Sequence, residues 1–291
     1  MNRFTYGFLL LLFLPSVFLL RSDPPESEFT AVAYNLENFF DLDEVALFDR
    51  ALTEAEVSEQ VRVAQLPESP PLSPKQSMKS IHVRDGFEVE LVAAEPFVRD
   101  PVAIDWDADG KLWVSEMADY PYGIDGKGKA GGRVRWLEDA DANGVFEKSA
   151  LFLDGLSFPT SVMPWRDGVL ITAAPDILFA RDTDGDGRAD EQQVLFTGFI
   201  EGNQQLRVNS LRWGLDGWIY AASGGHHAGF GVKTEITSTK TGKKIALGSR
   251  DFKFRPDSGE LEALSGPSQY GRVRDDWGNW FGVQNSYPLW H

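Results

Sequence analysis

The residues of this sequence that are best suited to chemistry are the oxygen donors of two acidic loops. The stretch RDTDGDGRADEQQV spaces its carboxylates as a calcium-binding loop does, with a glycine at the sixth position, where the turn is sharpest. The calcium ligands that it predicts are Asp182, Asp184, Asp186, the carbonyl group of Arg188, and Asp190. Gln193 stands where the template has a bidentate glutamate, and strand-like stretches flank the loop instead of helices. The sequence therefore predicts calcium in an acidic β-hairpin.

A second acidic loop, EDADANGVFEKSALF, repeats the pattern with fewer carboxylates. Its predicted calcium ligands are Asp139, Asp141, Asn143 and Glu147. The alternative for both loops is a metal-free turn, because aspartate and glycine adopt the backbone angles that tight turns require. In either case we expect a structural role, since carboxylates in a hairpin stiffen the fold without exposing a reactive centre.

A repeated hairpin pattern predicts the fold that positions these loops. Four stretches each contain an apolar run, a polar turn and a second apolar run, and their turn glycines are Gly110, Gly168, Gly217 and Gly278. The repeat length is close to a propeller blade of roughly 40 to 50 residues with inserted loops. Alternating apolar residues predict further strands in FEVELVAAE, SALFLDGL, QQVLFTGF and RDFKFRP. We therefore predict an all-β fold over residues 71–291, a partial β-propeller with about four blades in this chain.

Composition excludes several classes of protein. The formal net charge of −16 opposes binding to nucleic acid and to anionic lipid surfaces. The absence of cysteine excludes disulfides, thiolate metal sites and covalently attached haem within this chain. The sequence also lacks a phosphate-binding glycine loop, a nucleophile elbow and an HExxH motif, so it gives no support to nucleotide hydrolysis, serine hydrolysis or zinc proteolysis.

The first 22 residues predict a signal peptide or a membrane anchor. Arg3 precedes an apolar run from Phe8 to Leu20, which has the length of the hydrophobic region of a signal peptide. Arg21 follows directly and no small-residue cleavage motif is present, so an uncleaved anchor stays open. We predict a periplasmic or extracellular protein that touches the membrane only through this segment.

Residues 23–70 are predicted to form a helix and a proline-rich linker. Thr53 and Glu56 form a capping box, and QLPESPPLSP is a stiff, extended stretch that ends the region. FTAVAYNLENFFD resembles the first strand of the endonuclease/exonuclease/phosphatase fold, and DEVALFDRALTEAEV resembles the end of a laminin-G-like jelly roll. Neither fold fits in so short a region, so no activity follows from these fragments.

From about residue 72 onward, the sequence resembles the bacterial membrane-bound dehydrogenase family. The resemblance rests on the succession of AIDWDADGKLWVSE, RDTDGDGRADEQQVLFTGF and SLRWGLDGWIYAASGG. Members of this family join a six-bladed propeller, similar to the soluble quinoprotein glucose and sorbosone dehydrogenases, to helical repeats and CxxCH cytochrome c segments. This chain departs from the pattern in three ways. It has no cysteine for haem, Leu206 stands where we expect relatives to carry histidine, and it stops after about four blades, as an N-terminal fragment would.

The resemblance implies a pyrroloquinoline quinone cofactor and a base that takes a proton from an alcohol. SGGHHAGFG places His226 and His227 in a glycine-rich loop after a predicted strand, so these are the candidate catalytic residues. Arg207 and Asn209 are the candidate cofactor-binding residues, with Arg207 as the partner of an anion. The alternatives are a solvent-exposed or adventitiously metal-binding histidine pair, and a salt bridge from Arg207 to one of the many carboxylates.

Two functions follow from these patterns. The first is an exported quinoprotein-like dehydrogenase propeller that oxidises sugars or other alcohols and passes electrons to a separate cytochrome. The second is a non-catalytic propeller, stiffened by calcium, that binds carbohydrate or protein partners.

Overall fold

The computed structural model describes residues 17–20, 30–33, 46–48, 72–225, 233–284 and 287–291. Contacts between Cα atoms divide the chain into two units, Met1–Ser73 and Pro74–His291. In the first unit, three short strands form an antiparallel sheet in chain order, namely β1 (Val17–Leu20), β2 (Thr30–Ala33) and β3 (Ala46–Phe48). The helix predicted at Thr53 and the proline-rich linker lie outside the described residues. Among the described residues, no helix has the length and apolar character that crossing a membrane requires.

The second unit begins with a short helix and continues as a series of antiparallel sheets. The helix is α1 (Pro74–Ser80). The first sheet contains, in order, β4 (Pro101–Trp106), β5 (Leu112–Glu116), β6 (Gly132–Glu138) and β7 (Lys148–Leu156). The second sheet begins with β8 (Ser161–Trp165), β9 (Gly168–Ala173), β10 (Asp176–Arg181) and β11 (Glu191–Thr197).

The third and fourth sheets follow the same up-and-down order, with one insertion. The third sheet opens with β12 (Asn209–Trp213) and β13 (Ile219–Ala222). The chain then returns to the second sheet with β14 (Glu235–Ser238) and β15 (Lys244–Ala246), where β14 pairs with β11. The third sheet is completed by β16 (Phe252–Arg255) and β17 (Glu260–Ala263). The fourth sheet contains β18 (Arg272–Arg274), β19 (Trp280–Gln284) and β20 (Tyr287–Trp290).

The four predicted hairpins are confirmed, and each is the first pair of strands of one sheet. Gly110, Gly217 and Gly278 have positive φ angles of 82°, 73° and 91°, which glycine adopts without strain. In the β8–β9 turn the positive φ falls on Arg166 instead, and Gly168 is the first residue of β9. Turn chemistry is local, so the sequence pattern locates all four turns.

One predicted strand is wrong. FEVELVAAE at residues 87–95 alternates apolar and charged residues, but it forms no strand in the structure. Phe87 is 69% exposed and Leu91 is 40% exposed, so two of the three alternating apolar residues face solvent and only Val89 is partly buried. A strand requires a row of backbone hydrogen bonds to a neighbour, whereas the described residues give this stretch one such bond to another segment, from the N–H of Phe146 to the carbonyl oxygen of Val92 at 2.9 Å. The strands predicted in SALFLDGL, QQVLFTGF and RDFKFRP are confirmed as β7, β11 and β16.

The core lies in layers between consecutive sheets. On β9, Val169 and Ile171 belong to the apolar cluster shared with the first sheet, whereas Leu170 belongs to the cluster shared with the third sheet. This alternation follows from the two-residue period of a strand, and it buries both faces of the second sheet. Phe196 of β11 and Phe254 of β16 meet edge to face across the second layer, with ring centroids 5.3 Å apart.

The first strands of successive sheets lie next to one another in the order β4, β8, β12, β18. The N–H of Ser210 donates to the hydroxyl of Ser161 at 3.0 Å, and the N–H of Gly271 donates to the hydroxyl of Ser210 at 2.8 Å. The Tyr270 hydroxyl reaches the carbonyl oxygens of Val102 and Thr160. Sheets that meet through their first strands, with core layers between their faces, make the fold all-β and propeller-like.

Candidate functional site

Antiparallel pairing puts the connections of the second unit at two opposite ends of the sheets. The first strand of each sheet starts at one end, the loop face, which carries the connections 117–131, 157–160, 198–208, 223–225 and 264–271. The other end, the turn face, carries the hairpin turns and the acidic loops 139–147 and 182–190. Arg207 and Asn209 thus belong to the loop face, and the predicted calcium ligands belong to the turn face.

The loops of the loop face are tied together by side chains. Asp119 is fully buried, and its Oδ2 accepts hydrogen bonds from the N–H groups of Phe158 at 2.8 Å and Gly131 at 3.4 Å. A short 3₁₀ helix at Gln204–Leu206 reaches back to the same loop. The Gln205 side-chain amide donates to the Tyr120 hydroxyl at 2.9 Å, and that of Gln204 donates to the carbonyl of the residue after Tyr120 at 3.0 Å. These contacts fix the surroundings of Arg207.

Arg207 is a buried cation without an ion-pair partner among the residues that the structure describes. Its side chain lies over the Phe158 ring at 4.7 Å, and the residue is only 5% exposed. Nη1 has two long hydrogen bonds, each 3.4 Å, to the carbonyl and hydroxyl oxygens of Ser157, and Nε is buried with no hydrogen-bond partner in the described part of the chain. Burial lowers the pKa of Arg207, and the charges of Glu201 and Asp119 oppose that shift from beyond ion-pair distance. A guanidinium in this state is suited to an incoming anion.

Asn209 supports Arg207 from the first residue of β12. Its side-chain amide donates to the carbonyl oxygens of Arg207 at 2.8 Å and Gln269 at 2.7 Å. Its Oδ1 accepts hydrogen bonds from the Ser210 hydroxyl and from the N–H of Gly271. Both ends of the amide are therefore engaged with protein groups. Asn209 holds the backbone around Arg207, and its contact with a cofactor stays a prediction.

A buried ion pair positions the chain that leads to the histidine pair. Asp251 accepts hydrogen bonds from the N–H groups of Ser223 at 3.2 Å and Ser268 at 2.9 Å, and Arg272 forms a salt bridge with it. Burial raises the pKa of Asp251, and the Ser268 hydroxyl and Arg272 act against that shift. Gly225, two residues after Ser223, has a φ of 71°, and a Cβ there would lie 2.8 Å from the Cα of Gln269. The backbone at this point accepts only glycine.

The predicted catalytic residues His226 and His227 lie outside the described residues, which stop at Gly225 and resume at Lys233. Their role as base therefore stays a prediction. Three residues of the loop face were missed by the sequence reasoning, namely Asp119, Phe158 and Asp251. Each lies in a loop or at a strand end with no motif around it, and each is defined only by contacts with distant parts of the chain.

At the turn face, the first acidic loop gathers three of its predicted ligands. One carboxylate oxygen from each of Asp182, Asp184 and Asp190 lies within 4.8 Å of the others. Asp186 stands outside this group, because its Oδ1 accepts a hydrogen bond from the N–H of Arg188 at 2.8 Å. Hydrogen bonds from backbone N–H groups, chiefly that of the glycine that follows Asp186, lower the pKa of Asp182. The group offers the hard oxygen ligands that calcium prefers, and the calcium site stays a prediction.

The second acidic loop has the same construction on the neighbouring sheet. One carboxylate oxygen from each of Asp139, Asp141 and Glu147 lies within 4.8 Å of the others. Asn143 is engaged locally, because its Oδ1 accepts a hydrogen bond from the N–H of Val145 at 2.8 Å. The N–H of the glycine after Asn143 lowers the pKa of Asp139. Three of the four predicted ligands are therefore together.

The first acidic loop also joins two sheets. The indole Nε1 of Trp136 on β6 donates to the carbonyl oxygen of Gly187 at 2.9 Å, and the N–H of Ala189 donates to the carbonyl oxygen of Phe152 on β7 at 2.8 Å. Both bonds run from the loop of the second sheet to strands of the first. A stiffer loop would therefore hold the two sheets more firmly against each other.

The architecture and the two faces assign the protein to a class: it is an all-β, propeller-like protein with a polar loop face and with acidic hairpins at the opposite end. Residues 73–291 match the model of a family described as a domain of unknown function, DUF7133, and the chain belongs to that family. The comparison with curated proteins gives no match. Among solved structures, the chain is similar to a catalytically inactive virginiamycin B lyase from Staphylococcus aureus with quinupristin, at 12% identity and a TM-score of 0.34. That similarity covers 65% of this chain and spans 64% of the length of the lyase chain.

Proposed function

We propose that this protein is an exported oxidoreductase of the quinoprotein type, whose loop face binds pyrroloquinoline quinone and oxidises a sugar or another alcohol. The observation that carries the proposal is Arg207, a buried guanidinium that has no ion pair among the described residues. A buried cation is stabilised by an anion placed against it. Pyrroloquinoline quinone carries carboxylates, and the resemblance of the sequence to the membrane-bound dehydrogenase family favours this anion over others.

The residues of the loop face fit such a ligand in their chemistry. Arg207 would hold a carboxylate, and Asn209 would act through Arg207, because its amide already binds the Arg207 carbonyl oxygen. His226 and His227 follow Gly225 directly in the chain and would supply the base that takes the proton of the alcohol. When bound, the quinone accepts the two electrons that the alcohol loses.

Calcium has a separate role in this proposal. The acidic loops belong to the turn face, so a cation held there braces hairpins and does not polarise a ligand beside Arg207. The electrons would pass to a cytochrome whose haem is attached outside these 291 residues, because they contain no cysteine. The N-terminal segment would direct the protein to the periplasm or the exterior.

The proposal is tested by reconstitution of the full chain with pyrroloquinoline quinone and calcium, followed by dye reduction with a panel of sugars and alcohols. We expect turnover with at least one substrate. We also expect a loss of about 100-fold or more in a variant that carries His226→Ala and His227→Ala, since general bases contribute 10²–10⁴-fold. The control is His82→Ala, which changes a histidine that no part of the proposal uses. No dye reduction with any substrate, or equal rates in the His226/His227 variant, would contradict the oxidoreductase assignment.

A second candidate function is carbohydrate binding without catalysis. The observation that favours it is a pair of exposed aromatic side chains on the loop face, Tyr120 at 48% and Tyr122 at 72% exposure. Glycan binding that needs no quinone, together with no dye reduction, would select this function.

A further inference from the structure

The loop 117–131 presents a platform that the oxidation step does not use. Tyr120, Tyr122 and Ile124 alternate along it, and all three are about half exposed or more. We call these three residues the tyrosine rim. The rim is close to Arg207, because the residue before Tyr120 is the buried Asp119, whose charge acts on Arg207.

The tyrosine rim is held in one shape before any ligand arrives. The Tyr120 hydroxyl accepts a hydrogen bond from Gln205, and the carbonyl oxygen of Tyr122 accepts one from the N–H of Gly128 at 2.7 Å. Ile124 donates its N–H to the carbonyl oxygen of Lys129 at 3.0 Å. A surface fixed in advance loses little conformational freedom on binding, so its contacts translate more fully into affinity.

The same loop carries local positive charge in a strongly negative protein. Lys127 and Lys129 follow the rim, and neither forms an ion pair within the part of the chain that the structure describes. Asp125 precedes both lysines in sequence, and its Oδ1 accepts hydrogen bonds from both of their N–H groups, at 2.8 and 3.1 Å. The net charge of −16 belongs to the whole chain. Screening over about 8 to 10 Å in physiological salt limits what a short ligand experiences to nearby charges, and the two lysines outweigh the one exposed carboxylate beside them, that of Asp125.

We propose that the tyrosine rim, with Lys127 and Lys129, binds a carbohydrate chain that contains uronic acids. The C–H face of a pyranose carries partial positive charge and matches the negative face of a tyrosine ring. The lysine ammonium groups match the uronate carboxylates. An acidic peptide would match the lysines equally well, but the flat, half-exposed rings favour a ligand with flat apolar faces. This inference rests on the loop face as the site for a carbohydrate and not on the oxidation step.

The experiment is isothermal titration of the full chain, without quinone and in EDTA, so that calcium cannot bridge the ligand to the acidic loops. The probes are tetragalacturonate, galacturonate, cellotetraose and octaglutamate. We expect tetragalacturonate to bind at least tenfold more tightly than galacturonate. Tyr122→Ala should weaken its binding about three- to tenfold, whereas Tyr122→Trp should retain it. Changing both Lys127 and Lys129 to Gln should weaken the binding of tetragalacturonate and make that binding less dependent on salt, with little effect on the binding of cellotetraose.

The matched control is Trp277→Ala, because Trp277 is 85% exposed and lies at the turn face. It should leave the binding of tetragalacturonate unchanged. The inference is overturned if no probe binds, if Tyr122→Ala binds as the wild type does, or if octaglutamate binds as tightly with the same response to the variants. These results are independent of the oxidoreductase proposal, since dye reduction with small sugars is measured separately.

Discussion

Two buried arginines differ in whether they have an ion-pair partner, and the difference predicts unequal effects of the same substitution. Arg207 and Arg272 are 5% and 7% exposed. Arg272 forms a salt bridge with the fully buried Asp251, whereas Arg207 has no ion-pair partner among the described residues. Methionine has a similar length and no charge, so Arg→Met removes the guanidinium at each position while keeping most of the packing.

The expected change at Arg207 is close to zero. The two hydrogen bonds to Ser157 are 3.4 Å long, beyond the usual range, so they contribute little. Loss of the contact with the Phe158 ring costs about 0.5 to 2 kcal/mol, and a methionine–aromatic contact returns about 0.3 to 1.5 kcal/mol. Removal of Nε, which is buried without a hydrogen bond among the described residues, restores about 1 to 3 kcal/mol of stability. The lost attraction between Arg207 and Asp119 offsets part of that gain. We expect the free energy of unfolding of Arg207→Met to stay within about 1 kcal/mol of the wild type.

The expected change at Arg272 is large. Arg272→Met leaves the Asp251 carboxylate buried without its counter-charge, and breaking a buried pair in this way costs about 3 to 5 kcal/mol. Urea unfolding followed by tryptophan fluorescence measures both variants, with equal m-values as the condition for comparison. Arg166→Met is the surface control, because Arg166 is 60% exposed in its ion pair with Asp257. If Arg207→Met destabilises the protein as much as Arg272→Met does, Arg207 has a structural role and the argument for an anion site fails.

Three further predictions concern the turn face. Calcium at about 100 times its Kd should raise the melting temperature by several degrees, and Asp182→Ala should reduce that rise. The control is Asp275→Ala, which changes a turn aspartate outside both acidic clusters and should leave the rise unchanged. A melting temperature that does not depend on calcium would contradict the metal assignment. The N–H of Gly187 lowers the pKa of Asp182 in the folded state, so this stabilisation is present above about pH 4 and is lost as the pH falls through the lowered value. In the absence of calcium, the urea midpoint should therefore fall less steeply between pH 7 and pH 3 for Asp182→Asn than for the wild type. An equal fall in both proteins would count against this contribution of Asp182. Trp136→Phe removes the hydrogen bond from the indole to the carbonyl oxygen of Gly187, which links two sheets. It should lower the free energy of unfolding by about 1 to 2 kcal/mol in calorimetry, and an unchanged value would contradict this prediction.

Local chemistry explains which parts of the fold could be predicted. The four hairpins follow from glycine turns between apolar runs, and the structure has each one at the start of a sheet. The hairpin β14–β15 was not predicted, because its pairing with β11 joins parts of the chain that no local pattern connects. FEVELVAAE fails for the same reason, since alternation is local and the partner that a strand needs is not.

The candidate site shows the same division. The spacing of the aspartates predicts that the ligands of each acidic loop come together, because a tight turn fixes their separation, and in each loop three carboxylates do so while Asp186 stands outside its group. The state of Arg207 could not be predicted, since the sequence around it does not reveal that Phe158 covers it or that no carboxylate of the described residues reaches it. Burial and missing partners are properties of the assembled loops. The roles of His226 and His227 stay predictions.

The central claim is that the loop face around Arg207 binds a carboxylate-bearing ligand. The most direct measurement is an equilibrium titration of the full chain and of Arg207→Met with pyrroloquinoline quinone, followed by quenching of the fluorescence of its nine tryptophans. We predict saturable binding to the wild type and a loss of at least about tenfold in affinity for Arg207→Met, since a hydrogen bond to a charged group contributes about 1.5 to 3 kcal/mol. Absence of binding to the wild type, or equal affinity in the variant, would contradict the claim.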